Sequence, residues 1–448
     1  MRRIRFPIRG FLPASARAAS WALALAILPG LPARADWPRF RGPNGGGVAT
    51  DSSPVPTTMS ETENLRWKVA LPGAGVSCPI VVGQRVFVTT YSGYGAEGGT
   101  QVDLVRHLVC LDARSGEELW KREVEAVLPE DPWSGMGVPA HGYASHTPVS
   151  DGERVFAFFG KTGVRAWDLD GNPLWEKSVG TDSDPRRWGS ASSPIVVEGV
   201  VVVVAGPERR SIVGLDAKSG SELWAADSEA LANVWGTPVT APGHDGGTDV
   251  VLATPGELWG LNPATGKLRW YAGAVGEDGF NTSAVVADGV AYCIEGRSGG
   301  SIAVRTGGKG DVTDSHVVWS GRDANRFGTP LVLDGRVWFI ANRIANCLDA
   351  ATGERLFQSR LPGDGGGGGG GFGRGGDYAS PVAADGKVFY VTSDGQVHVL
   401  ASAATLESLA VNDLGEEGET FAATPAISDG AIYIRSDRHL WCFSEGGR

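Results

Sequence analysis

The sequence contains no C-x-x-C, no adjacent pair of cysteines and only five cysteines in 448 residues, namely Cys78, Cys110, Cys293, Cys347 and Cys442. An odd number at wide spacing implies neither a disulfide framework nor a paired-ligand zinc site. Cys110, Cys347 and Cys442 occupy one recurring position ("HLVCLDA", "IANCLDA", "HLWCFSE") and read as small buried hydrophobes. Also missing are G-x-S-x-G and H-E-x-x-H, so the hydrolase and metalloprotease signatures are absent. Beyond residue 35 no stretch approaches the roughly 20 apolar residues that a bilayer-spanning helix needs.

Positive charge is scarce outside the first residues. Arg2, Arg3, Arg5 and Arg9 precede an apolar run and the small-residue triplet Ala33-Arg34-Ala35, the order of a secretory signal, so residues 1–35 read as a leader cleaved after Ala35. Its removal takes six arginines and no acid, leaving 34 Lys+Arg against 51 Asp+Glu, a formal charge of −17. That balance argues against nucleic acid or an anionic membrane surface as partner. The expectation is an exported, soluble protein, periplasmic or extracellular.

What the chain has in abundance is glycine, 66 residues, and the glycines recur in register. A segment of the type "SSPIVVEGVVVVV" occurs eight times, with marker positions Pro79, Pro148, Pro194, Pro238, Ala284, Pro330, Pro381 and Pro425. Most copies are about 45 residues apart, and each reads as four short alternating strands joined by tight glycine turns. Eight such meanders predict an all-β, eight-bladed β-propeller of four-stranded antiparallel blades over residues 63–448. The last copy stops after three strands, and "NLRWKVALPG" (64–73) supplies a strand of matching character, so the N-terminal strand is predicted to close the ring.

A second recurring unit follows each third strand. Asp112, Gly116 and Trp120 are matched by Asp216, Gly220 and Trp224, by Asn262, Gly266 and Trp270, and by Asp349, Gly353 and Phe357. The Asx side chain can cap the turn, glycine allows positive φ, and the aromatic can pack between blades. This spacing resembles the tryptophan-docking repeat of the pyrroloquinoline-quinone (PQQ)-like propellers, the family that includes the outer-membrane assembly factor BamB and the quinoprotein dehydrogenases.

In a four-stranded meander the loops after strands one and three share one face, and those after strands two and four share the other. The short glycine turns fall on the first face, and the long connections (91–107, 125–146, 180–190 and 364–378) fall on the second, where binding is expected. Aromatics precede the marker position in most blades: Tyr143, Trp188, Trp235, Phe280, Phe327, Tyr378 and Phe421. As fold elements they wedge between blades. As a site, Tyr143, Trp188, Trp235, Phe327 and Tyr378, with Arg187, Arg326 and Asp377 beside them, form an aromatic channel mouth for a flat or peptide ligand. His141 and His146, on the blade-one connection, read as solvated loop histidines, and the glycine run 365–371 as a flexible loop without the ending of a phosphate cradle. Residues 36–62 form an N-terminal extension, with Trp37 and Phe40 expected to pack near the closing blade.

Two functions follow from the resemblance. A non-catalytic scaffold of the BamB kind would bind a protein or small ligand in the cell envelope, although the lipidated cysteine that anchors BamB has no counterpart beside Asp36. A quinoprotein dehydrogenase would hold PQQ with Ca²⁺ in the channel, although the adjacent cysteine pair usual in its alcohol dehydrogenases is absent. The reading adopted is the scaffold, with no cofactor, metal or catalytic residue assigned.

Overall fold

The computed structural model describes residues 36–51, 53–95, 98–274, 276, 281–296, 299–363 and 376–447. The leader, Phe280 and the glycine run 365–371 lie outside these residues.

Among the described residues, eight sheets follow one another along the chain as the blades of a β-propeller, seven of them four-stranded and antiparallel and blade four widened by a fifth, parallel strand. Inner strands begin at Ile80, Val149, Ile195, Val239, Val285, Leu331, Val382 and Ala426. The second strand of blade three, Val200–Ala205, is buried along its whole length, whereas the outer strand, Glu222–Asp227, is largely exposed. Central strands are covered on both faces by neighbouring blades, which is why they read as continuous apolar runs.

Blade eight is built from both ends of the propeller. Its strands Ala426–Ser428, Ala431–Arg435 and His439–Ser444 are completed by Leu65–Ala70, which pairs antiparallel with His439–Ser444. This closure removes a free edge where the ring begins and ends.

The recurring turn is a docking socket. The Asp112 Oδ1 accepts the amides of Arg114 (2.9 Å) and Ser115 (2.8 Å), and Asp216, Asn262 and Asp349 do the same in their own turns. The tryptophan that fills each socket comes from the preceding blade. Trp67 lies over Gly116 and donates Nε1–H to the Ala113 carbonyl at 3.1 Å. Trp120 docks in the same way over Gly171, Trp175 over Gly220, Trp224 over Gly266 and Trp319 over Gly353. In each case a Cβ on the glycine would fall within 2.7 Å of the indole, so glycine is required by space as well as by its positive φ.

A one-residue register shift between the third and fourth strands sits beside Trp120, Trp175, Trp224 and Phe357, and the residues it pushes outward are Leu119, Leu174, Leu223 and Leu356. These leucines are exposed. A bulge that turns the aromatic toward the next blade turns its neighbour toward water.

Two motif residues depart from this pattern. Trp270 is fully buried among blade-five residues Val304 and Val312, but its Nε1–H goes to Asp249 Oδ2 of its own blade at 2.7 Å. Blade five offers no Asx–Gly socket. Its connection instead places Gly310–Asp311 in parallel alongside Trp270–Tyr271, so strand addition replaces docking at this junction. Phe357, with no N–H to donate, packs edge-on against Trp338 at 5.2 Å.

The N-terminal segment does more than pack on the closing blade. Trp37 exchanges backbone hydrogen bonds with Val81 of blade one (2.8 and 2.9 Å), Pro38 accepts from Ser150 of blade two, and Ala49 donates to Ala383 of blade seven. Residues 36–49 therefore cross the channel on the short-turn side. Arg41, buried on the way, donates to the carbonyls of Gly45, Gly46, Thr329, Pro330 and Pro381. Trp37 joins the core of the closing blade as expected, while Phe40 turns into the channel. Farther along, Val55 and Met59 are buried against blades seven and eight, where Asn412 bonds both the Met59 amide and the Thr57 carbonyl.

Candidate functional site

The residue before each marker position forms a ring of hydrogen bonds around the channel. Each backbone amide in the ring donates to the side chain of the next blade: Cys78 to Thr147 Oγ1 (3.0 Å), Thr147 to Ser193 Oγ (2.9 Å), Ser193 to Thr237 Oγ1 (3.0 Å) and Thr237 to Ser283 Oγ (2.8 Å). It continues from Ser283 to Thr329 (3.1 Å), Thr329 to Ser380 (2.9 Å) and Ser380 to Thr424 (2.9 Å). The Thr424 amide then closes the circle on Cys78 Sγ at 3.2 Å. Since the following residue is proline in seven of the eight blades, the next position has no N–H, and this amide is the one free to reach across.

Above the ring lies a cup of about 180 Å³ that opens among the long connections and has Phe40 among its lining residues. Trp188, Trp235, Phe327 and Tyr378 line it. They stand as two pairs, Trp188 with Trp235 at 5.8 Å and Phe327 with Tyr378 at 4.4 Å between ring centroids. The Trp235 indole donates to the Gly189 carbonyl at 2.8 Å, which fixes its ring in the wall.

The other residues expected at or beside the mouth do not line the cup. Tyr143 is buried beneath the blade-one connection, against Tyr91 and Tyr94, with its hydroxyl donating to the Asp131 carbonyl at 2.7 Å. Asp377 accepts from Ser393 and pairs with Arg343 at 3.2 Å, so its carboxylate braces blades six and seven. Arg187 is exposed in its loop, and Arg326 lies over Phe327, its guanidinium 5.6 Å from the ring centre. Phe421 is fully buried against Trp441.

Neither loop histidine is freely solvated: His146 is buried and His141 half-buried. The blade-one connection folds back as a short helical turn, Val138–His141, and carries both inward. His141 lines the cup, with Nε2 at 2.8 Å from the Trp188 carbonyl, and burial lowers its pKa. His146 lies deeper, with Nε2 at 3.0 Å from Ser190 Oγ, and Ser190 in turn donates to Glu208. Burial pushes His146 down to about 3 and Glu208 up to about 7. Beside them the ion pairs Arg106–Glu130 and Lys161–Asp131 (3.2 Å) are also buried, so this polar cluster ties blades one to three together below the cup wall.

The described residues lining the cup are aromatic rings, small apolar groups, Met136, the Ser/Thr ring with its one thiol, Ser145, Asn281 and His141, with no carboxylate, lysine or arginine among them. Ca²⁺ takes six to eight oxygen ligands, usually including carboxylates, and a quinone that is itself an anion calls for cationic partners. This lining does not fit a calcium–PQQ pair.

A family model described as outer membrane protein assembly factor BamB matches residues 105–359. The chain belongs to the BamB family. The outer membrane protein assembly factor BamB of Xanthomonas campestris pv. campestris is 24% identical over 122 residues, a match that spans 27% of this chain and 28% of that relative. Among solved structures, BamB from Moraxella catarrhalis superposes with a TM-score of 0.59 at 13% identity, covering 86% of this chain and 98% of that one. A europium-containing methanol dehydrogenase superposes with a TM-score of 0.62 at 12% identity, covering 89% of each. At these identities the structural likeness is one of fold alone.

Phe40, the hydroxyl ring and His141 are cup residues that the sequence reading did not assign. The Ser/Thr ring had a signal in the sequence, a small polar residue directly before the marker position in every blade. Phe40 was expected to pack near the closing blade, and nothing local in the sequence marks that its segment crosses the channel and turns this ring into the cup.

Proposed function

We propose that the protein is a non-catalytic binding scaffold of the cell envelope that presents its long-connection face, with the aromatic cup at the centre, to a protein segment or small ligand. The observation that carries this reading is the cup itself: paired aromatics around an uncharged, hydroxyl-floored recess, the composition of a recognition pocket and not of an acid–base site. The leader-like residues 1–35 and the acidic balance of the remaining chain support export and argue against nucleic acid. Among the described residues no helix is long and apolar enough to cross a membrane. The family's role in outer-membrane protein assembly makes a protein partner the first to seek.

The test is site-directed photo-crosslinking in the native envelope with the probe at Trp188 or Tyr378, compared with the outer-rim position Leu356. A discrete adduct from the cup positions and none from the rim is expected. Equal labelling at both, or at neither, sinks the proposal. A parallel titration with PQQ, with and without Ca²⁺, addresses the dehydrogenase: stoichiometric, Ca²⁺-dependent binding would replace the scaffold reading.

A further inference from the structure

Among the described residues outside the cup, a cluster of metal-ligating side chains stands at the point where the ring is closed. Glu416 and Glu419 lie on the connection between blades seven and eight, in a turn in which the Glu419 amide donates to the Glu416 carbonyl at 3.1 Å. His439 opens the strand His439–Ser444 and pairs with Ala70, the end of the closing strand. One potential ligand atom from each of the three lies within 4.8 Å of the others.

Glu419 is the informative member. Its side chain is 1% exposed, one carboxylate oxygen meets His439 Nδ1, and the other, Oε2, is buried without a partner. A carboxylate oxygen taken out of water with nothing bound to it is costly. Glu416 is half-exposed and is held by Lys68 of the closing strand, which also reaches Glu61 at 3.3 Å and lies over the Trp441 ring. Lys68 therefore keeps two other contacts if Glu416 turns to another cation.

We propose that Glu416, Glu419 and His439 bind a divalent transition-metal ion, zinc being the simplest candidate, and that the ion braces the ring closure. One imidazole nitrogen and two carboxylate oxygens suit a tetrahedral zinc site with water in the fourth position. The nitrogen donor and the small ligand number disfavour Ca²⁺, which takes six or more oxygens. The hydrogen bond between His439 and Glu419 holds two of the ligands together in the metal-free protein. The ion would join the blade-seven-to-eight connection to the C-terminal strand next to the N-terminal one, tying down the junction on which closure depends.

The experiment is calorimetric titration of the EDTA-stripped protein with ZnCl₂ and, separately, CaCl₂, with the thermal midpoint followed in parallel. One Zn²⁺ per chain is expected at micromolar affinity or tighter, with a rise in midpoint of roughly 2–4 °C at a hundredfold excess over Kd. His439→Ala and Glu419→Gln should each weaken zinc binding at least tenfold. Glu416→Gln, at a half-exposed position where the fold is not at stake, should weaken it measurably, and His316→Ala should not. The proposal is overturned if zinc does not bind at unit stoichiometry, if it binds the Glu416→Gln and His439→Ala proteins as well as the parent, or if Ca²⁺ binds equally well.

Discussion

The Thr424 amide donates to Cys78 Sγ at 3.2 Å, and this contact completes a circle of eight inter-blade hydrogen bonds whose other acceptors are all serine or threonine hydroxyls. Cys78 thus stands where the repeat calls for a hydroxyl, at the blade that follows the closing one. Burial raises its pKa, so the sulfur serves as a neutral acceptor.

Replacing Cys78 by serine should therefore be nearly neutral, whereas Cys78→Val leaves the buried Thr424 amide unpaired and should cost about 1–3 kcal/mol. Urea unfolding distinguishes the two variants. Equal stabilities would show that the contact at the end of the ring contributes nothing.

Gly116 and Gly199 have nearly the same backbone, φ +76° and +78°, but a Cβ at Gly116 would meet the Trp67 ring at 2.7 Å while one at Gly199 meets nothing. Both alanine variants share the strain of positive φ, and Gly116→Ala should cost a further ~1–3 kcal/mol from overpacking the socket. Thermal unfolding of the pair isolates the docking term from the conformational one.

Arg41 satisfies five backbone carbonyls in the plugged channel. Arg41→Ala strips those partners from buried groups and should destabilise the protein by at least ~3 kcal/mol, with Arg41→Lys recovering only part. A midpoint unchanged by Arg41→Ala would mean that the segment only rests on the ring.

Glu208 and His146 give opposite dependences on pH. Burial raises Glu208 from 4.5 to about 7 in the fold, so its contribution is fully present below pH 4.5 and is lost as pH rises through 7. Glu208→Gln should therefore gain on the parent between about pH 4.5 and 7, by at most ~3 kcal/mol, and the difference should then level off. His146 is lowered from 6.5 to about 3, so its neutral form favours the fold above pH 6.5, and that advantage fades as pH falls toward 3. Stability curves against pH for the parent, Glu208→Gln and His146→Gln would separate the two, and a pH-independent gap between parent and Glu208→Gln would contradict the assignment.

Trp120, Trp224 and the turns before them were legible because the motif is local, its Asx cap, glycine and aromatic lying within nine residues and repeating, although each tryptophan docks over the glycine of the next blade. Trp188, Trp235, Phe327 and Tyr378 were legible as a set because each precedes an inner strand at a similar offset. Tyr143 shares that offset but sits on an insertion that folds back on blade one, so its position in the repeat did not fix its surroundings. Asp377 was diverted by Arg343 and Ser393, partners that no spacing rule indicates.

The sequence by itself determined the blade count, the strand order, the closing strand and the face on which the long connections lie, because each follows from a short repeated pattern whose glycines and prolines restrict the backbone within a few residues. Only the tertiary structure decided that residues 36–49 cross the channel, that Phe40 lines the cup, that Trp270 bonds within its own blade, and that Glu416, Glu419 and His439 meet at the closure. Those contacts join residues far apart along the chain, and they are set by which groups close packing brings into reach once the ring has formed.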